Sequence, residues 1–131
     1  MSDGATFFNL EVADTPWQRM RGLLGRPPLQ ERQGLLIRPC NMIHTLGMRY
    51  SIDVVFIDAH GNVLKIAARI PSRKISFCFR ARATLELLAG QAEALGLQSG
   101  QPLPRFLLDR LPEGFRVKTP VCFTTDEGTP S

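Results

Sequence analysis

The chain of 131 residues is poor in cysteine, histidine and tryptophan, with three, two and one of them. The cysteines, Cys40, Cys78 and Cys122, are odd in number and widely spaced, and they form no Cys-x-x-Cys motif. This pattern favours neither a disulfide framework nor a zinc knuckle. We therefore expect reduced thiols in a cytosolic protein.

A long apolar run is also missing. No stretch approaches the roughly 18 apolar residues that a membrane-spanning helix needs. The first residues, MSDGATFF, show neither the basic nor the apolar region of a secretory signal. The sequence thus predicts a cytoplasmic protein, a monomer or small homo-oligomer, that makes no use of a membrane.

Acidic residues are absent between Asp58 and Glu86, although the net charge of the chain is only +4. Thirteen of the sixteen cationic residues are arginine, whose guanidinium pairs in two-pronged fashion with carboxylates and phosphates. An anionic partner is one interpretation. A solvated basic edge that limits aggregation is the favoured one. The cations in the interval are Lys65, Arg69, Arg73, Lys74, Arg80 and Arg82.

Runs of β-branched and aromatic residues predict strands in TFFNLEVAD, GLLIRPC, YSIDVVFID, VLKIAARI, ISFCF and ATLELLA. YSIDVVFID and VLKIAARI, joined by AHGN, predict a hairpin. NMIHTLGM is compatible with an irregular loop or an edge strand. RFLLDRL is compatible with a strand or a helix, and FRVKTPVCFTT is expected to be extended.

Two short helices are predicted. Thr15 as N-cap and Pro16 at the first helical position indicate a helix to about Leu24, ended by Gly25. Its apolar face would contain Trp17, Met20 and Leu24. The second helix is predicted in QAEALGL, opened by Gly90 and ended by Gly96. The chain therefore predicts one mainly β domain over 1–131, a compact sandwich or partly closed barrel with two short helices.

Three segments of the chain are RMRGLLGRPPL, GLLIRPCNMIHTLGMRYSIDVVFIDAHGNVLKI and ATLELLAGQAEALGLQSGQPL. In this order they resemble the signatures of the bacterial and archaeal family DUF192, also called UPF0127. The resemblance covers about residues 7–103, leaving a C-terminal extension at 104–125 and a tail at 126–131. It implies a small β-rich fold and no assigned activity. It also singles out His44, Thr45, Met48 and Asp53 as motif positions. Many relatives carry a secretory signal or lipid anchor, which is not expected here.

Asp53 opens a strand that is expected to be covered on both faces, so its carboxylate needs hydrogen-bond donors. The candidate donors are His44, Thr45, the N–H groups of 41–49, and an arginine such as Arg21, Arg49 or Arg80. Glu86 is a second acid within an apolar strand. We expect a polar network of Arg21, His44, Asp53 and Glu86 in one pocket. The predicted ligand-binding residues are His44, Thr45, Met48, Asp53, Arg21, Arg80 and Glu86.

Several functions remain open. His44 and Asp53 are compatible with a structural role, with a binding module for a small anionic or peptide-like ligand, or with acid–base catalysis. Cys40 would be the nucleophile of a hydrolase or a third metal ligand, but no oxyanion-hole signature accompanies it, and we expect no metal or cofactor.

The basic run at 65–82 gives a nucleic-acid alternative. Single-strand binders interleave exposed aromatic and basic side chains. Phe77 and Phe79 share a face and are expected to enter the core. Nucleic acid is therefore not favoured as a partner.

Overall fold

The computed structural model describes residues 8–115, which form two β-sheets and three short helices. The larger sheet has the strand order β1-β2-β7-β4-β5, and β3 pairs with β6 in a two-stranded ribbon. β1 and β2 are parallel, and the other neighbours are antiparallel. In chain order the elements are β1 (Asn9–Ala13), α1 (Pro16–Arg21), β2 (Gln33–Ile37), β3 (Met42–His44), β4 (Ile52–Ile57), β5 (Val63–Ile70), β6 (Ile75–Phe77), β7 (Ala83–Leu88), α2 (Gln91–Ala94) and α3 (Arg105–Leu108).

The mainly β prediction is confirmed, and the strands at 8–115 form no closed barrel. The described residues contain three short helices rather than two, because α3 forms in the segment RFLLDRL. None of the three, at four to six residues each, is a helix that could cross a bilayer. Cys122, the tail and nearly all of FRVKTPVCFTT lie outside the described residues.

Local sequence explains α1. The Thr15 hydroxyl accepts the Gln18 N–H at 3.2 Å, and the Gln18 side-chain oxygen accepts the Thr15 N–H at 3.3 Å. This reciprocal capping box and Pro16 confirm the predicted helix start. The helix ends at Arg21 rather than near Leu24, since Gly22 adopts a positive φ of 54°. Trp17 is 68% exposed, so the expected apolar face is not buried as a whole.

β4 is the centre of the molecule. All six of its residues are buried, which confirms that both faces of this strand are covered. Val55 and Ile57 pack in one apolar cluster with residues of α2 and α3. Val54 and Phe56 pack in the other cluster, which includes Ile43 of the ribbon. The large sheet is therefore covered by α2 and α3 on one face and by the ribbon on the other.

The β4–β5 turn packs closely against α3. Gly61 has φ +86°, and a Cβ there would lie 2.5 Å from Leu108 Cδ2. Leu108 is half-buried and its Cδ2 is the end of the side chain, so we expect Gly61→Ala to lose about 1 kcal/mol of unfolding free energy through this overlap, beyond the roughly 1–2 kcal/mol of backbone strain. Gly100→Ala is the control, since it has the same φ and no atom within 4 Å. Equal losses in urea unfolding would contradict the steric explanation.

Candidate functional site

Asp53 does not lie in the expected polar network. In the antiparallel register of β4 and β7, Asp53 is opposite Leu87, whereas Glu86 is opposite Val54. Because directly opposed residues share a face and neighbours alternate, Asp53 and Glu86 lie on opposite faces of the sheet. The expected network of Arg21, His44, Asp53 and Glu86 is therefore wrong.

The Asp53 carboxylate accepts three hydrogen bonds, all from backbone N–H groups. Oδ1 accepts the Arg69 N–H at 2.8 Å, and Oδ2 accepts the N–H groups of Gly90 and Ala92 at 3.0 and 2.9 Å. The need for donors was correctly predicted, but the donors come from β5 and the start of α2. Asp53 thus joins β4 to these two elements.

Two other expected site residues bind backbone groups. The buried Thr45 hydroxyl donates to the Pro71 carbonyl at 2.7 Å and accepts the Lys74 N–H at 2.8 Å, which fixes the ribbon. Arg21 donates to the carbonyls of Leu24 and Gly25 at 2.9 and 3.2 Å and so closes the turn after α1. Neither side chain reaches a carboxylate.

A small cavity, which we call the Glu86 cavity, lies between the ribbon, the segment around the end of α1 and the large sheet. Its volume is about 70 Å³. It brings together five of the residues that the sequence singled out. These are Arg21, Cys40, His44, Met48 and Glu86. Asp53 and Thr45 are not among the residues that line it, and the exposed Arg80 also lies elsewhere.

Glu86 is the most unusual group of this cavity. It is 5% exposed, and no described residue donates a hydrogen bond or contributes an ion pair to its carboxylate. Burial raises the pKa of the Glu86 carboxyl from 4.5 to about 7. The group is thus divided between its charged and neutral forms near neutral pH.

Arg19 supplies an unpartnered donor at the same cavity. Its Nη1 donates to the Pro39 carbonyl at 3.3 Å, but its buried Nε has no hydrogen-bond partner at 8–115. Arg26 Nε, outside this cavity, is likewise buried without a partner at 8–115, so the unpaired carboxylate of Glu86 is what distinguishes the cavity. Sequence reasoning missed Arg19, since no spacing distinguishes it from twelve other arginines.

The Cys–His–Asp arrangement is not formed. Cys40 Sγ donates to the Met42 carbonyl at 3.2 Å. His44 Nδ1 accepts the Leu46 N–H at 3.2 Å, which leaves the proton of the neutral imidazole on Nε2. Asp53 is on the far face of the sheet and cannot orient this ring. Over residues 8–115, no three His, Cys, Asp or Glu side chains are grouped as metal ligands would be.

A wider cleft adjoins the Glu86 cavity and has a volume of about 420 Å³. Leu23, Leu24 and Met48 are walls of both spaces. Arg49 and Tyr50 line the cleft farther out. The cavity and the cleft therefore lie side by side, with Leu23, Leu24 and Met48 between them.

A separate cavity of about 340 Å³ lies beside Arg38. Its central cation, Arg38, has several partners. Arg38 donates to the Glu113 carbonyl at 2.8 Å, lies 3.9 Å from Asp14 and covers the Phe115 ring. The Glu86 cavity is the stronger candidate because its buried carboxylate lacks such partners.

Phe77 and Phe79 correct a further expectation, since both are exposed rather than in the core. β6 pairs with β3, and its inward residue is Ser76, opposite the buried Ile43. Phe77, one position farther, must face outward. Phe79 is 82% exposed, and its ring centroid is 4.9 Å from that of Phe77.

Comparison with solved structures supports the fold. A protein of unknown function from Novosphingobium aromaticivorans DSM 12444 is 24% identical, with a TM-score of 0.65, over 72% of this chain and 73% of that one. A protein from Sinorhizobium meliloti 1021, provisionally named a transcription regulator, is 25% identical, with a TM-score of 0.65. That match covers 72% of this chain and 79% of the other. No curated protein matches the sequence.

The family comparison agrees with the motifs. The model of DUF192, described as "Uncharacterized ACR, COG1430", matches residues 1–104. This range includes every residue of the Glu86 cavity. The chain belongs to the DUF192 family.

Proposed function

We propose that the protein is a small-molecule or peptide-binding module whose site is the Glu86 cavity and the adjoining cleft. The observation that carries this proposal is the buried Glu86 carboxylate without a partner. Keeping such a group costs stability, which a ligand that donates a hydrogen bond or a positive charge would recover. The cytoplasmic location expected from the sequence is part of this proposal.

The ligand class follows from the charged groups that line the cavity. Glu86 requires a donor, and the positive charges of Arg19 and Arg21 favour a carboxylate or carbonyl beside it. A ligand with an amine or amide N–H close to a carbonyl or carboxylate satisfies both, as an amino acid or a peptide end does. A purely anionic ligand would place its charge in the same cavity as Glu86. We therefore favour the peptide-like ligand over the simple anion.

Acid–base catalysis by His44 and Asp53 receives no support from the geometry, because the two side chains lie on opposite sides of the sheet. A ligand that binds to Glu86 accounts for the cavity, and no catalysed reaction is needed to explain it. Met48 is then a contact for the ligand, and His44, whose side chain is on the outward face of the ribbon, is not a member of a catalytic group.

Thermal-shift and calorimetric titration with amino acids, dipeptides, simple amines and simple carboxylates tests the proposal. We expect a peptide-like compound to bind, and Glu86→Ala to weaken its binding about tenfold or more, the loss of a charge-assisted hydrogen bond. Glu93→Gln is the control, since Glu93 is an exposed acid on α2. Binding of simple carboxylates alone, or equal binding by both variants, would contradict the proposed site.

The affinity for an amine should also depend on pH. With a pKa of about 7, Glu86 is mainly neutral at pH 6 and mainly ionised at pH 8. A cationic amine is therefore expected to bind up to about tenfold more tightly at pH 8. Glu86→Gln should abolish this dependence, and its persistence in that variant would assign the titration to another group.

A further inference from the structure

The outward face of the β3–β6 ribbon is apolar. Met42 is opposite Phe77 and His44 is opposite Ile75, so these four side chains share one face. Ile75 is 65% exposed and Met42 is 59% exposed. We call this set, together with Phe79, the ribbon face. Large apolar side chains grouped on a surface mark an interaction site more often than scattered ones do.

Cationic side chains surround the ribbon face. Arg73 and Lys74 precede β6, and Arg80 follows Phe79. Lys65 donates to the Phe77 carbonyl at 2.9 Å, and its Nζ lies 5.5 Å from the Phe77 ring centroid. All four cations are exposed, and no carboxylate of residues 8–115 forms an ion pair with them.

Charge complementarity identifies the partner as anionic. A second copy of the chain would bring two cationic rims together, which is unfavourable. A surface of mixed lipids offers anionic headgroups to the rim and an apolar layer to the ribbon face. Peripheral membrane proteins use this combination of inserted apolar side chains and nearby Lys and Arg residues.

We propose that the ribbon face binds peripherally to anionic lipid membranes. The side chains favour lipid over single-stranded nucleic acid. Ile75 and Met42 are not flat and cannot stack on bases, and the Phe77 and Phe79 rings are tilted by 43° against each other. Peripheral attachment needs no spanning helix, so the proposal replaces the sequence-based expectation that membranes play no part.

Vesicle co-sedimentation of the full chain tests this inference. We expect binding to phosphatidylcholine vesicles that contain phosphatidylserine, weaker binding to phosphatidylcholine alone, and a loss of binding at high salt. Two variants should each have an affinity for these vesicles that is lower by about tenfold or more. They are the double variant Phe77→Ser/Phe79→Ser and the charge variant Arg73→Glu/Lys74→Glu.

Arg105→Glu is the control, since Arg105 is exposed on α3, which covers the opposite face of the large sheet. It should leave vesicle binding almost unchanged. Circular dichroism checks folding, and Phe79→Ser alone replaces the double variant if that one unfolds. Unchanged binding by the aromatic variants, no preference for phosphatidylserine, or binding to single-stranded oligonucleotides without vesicle binding would each overturn the proposal.

Discussion

Replacing Asp53 with asparagine is expected to lower the free energy of unfolding by about 3 kcal/mol or more. The Asp53 carboxylate accepts N–H groups from Arg69, Gly90 and Ala92. Asparagine retains one acceptor oxygen, so its amide NH₂ must face at least one of these donors. The substitution thus removes a charge-assisted bond and leaves a buried N–H group unpaired.

Denaturant unfolding followed by fluorescence or circular dichroism measures this effect. Asp109→Asn is the matched control, since Asp109 is 64% exposed and its nearest cation is Arg105 at 3.8 Å. The Asp109→Asn variant should lose less than about 0.5 kcal/mol of unfolding free energy. If the two variants lost the same stability, Asp53 would not be the joint between β4, β5 and α2.

Replacing Glu86 with glutamine is expected to produce the opposite result, a more stable protein above neutral pH. The pKa of Glu86 in the folded chain is about 7, against 4.5 for an ordinary glutamate. Between these two values the folded state holds a proton that the unfolded state has lost, so stability falls as pH rises. The full difference corresponds to about 3 kcal/mol.

The advantage of Glu86→Gln should therefore be small at pH 4.5, grow through pH 7 and level off near pH 8. Urea unfolding across this range, with Glu93→Gln as control, gives the curve. A constant difference at all pH values would show that Glu86 does not titrate with a raised pKa. If Glu86→Gln is more stable but no longer binds the ligand, Glu86 is retained for binding rather than for folding.

Local patterns were sufficient for most elements of the fold. The hairpin of β4 and β5 follows from two β-rich runs around a glycine turn, and α1 follows from Thr15 and Pro16. The short helix α3 was ambiguous because RFLLDRL fits both periodicities. The observed end of α1 differs from the predicted one by a few residues, because the backbone conformation of Gly22 ends the helix.

The candidate site was only partly predictable. Parity within a strand gives the alternation of faces, but it does not show which strands are neighbours. Asp53 and Glu86 could be assigned to opposite faces only after the register of β4 and β7 was known. Phe77 was expected in the core because a single sequence does not reveal that β6 belongs to a separate ribbon.

The strand order also affects how the chain must be made. β1 and β2 leave the ribosome early, but the second edge of β2 pairs with β7, which is synthesised far later. At a translation rate of about 5–20 residues per second, this edge of β2 remains unpaired for several seconds. Its buried residues Leu35, Leu36 and Ile37 are then exposed to other nascent chains. Chaperone dependence during translation is the expected consequence of placing β2 beside β7.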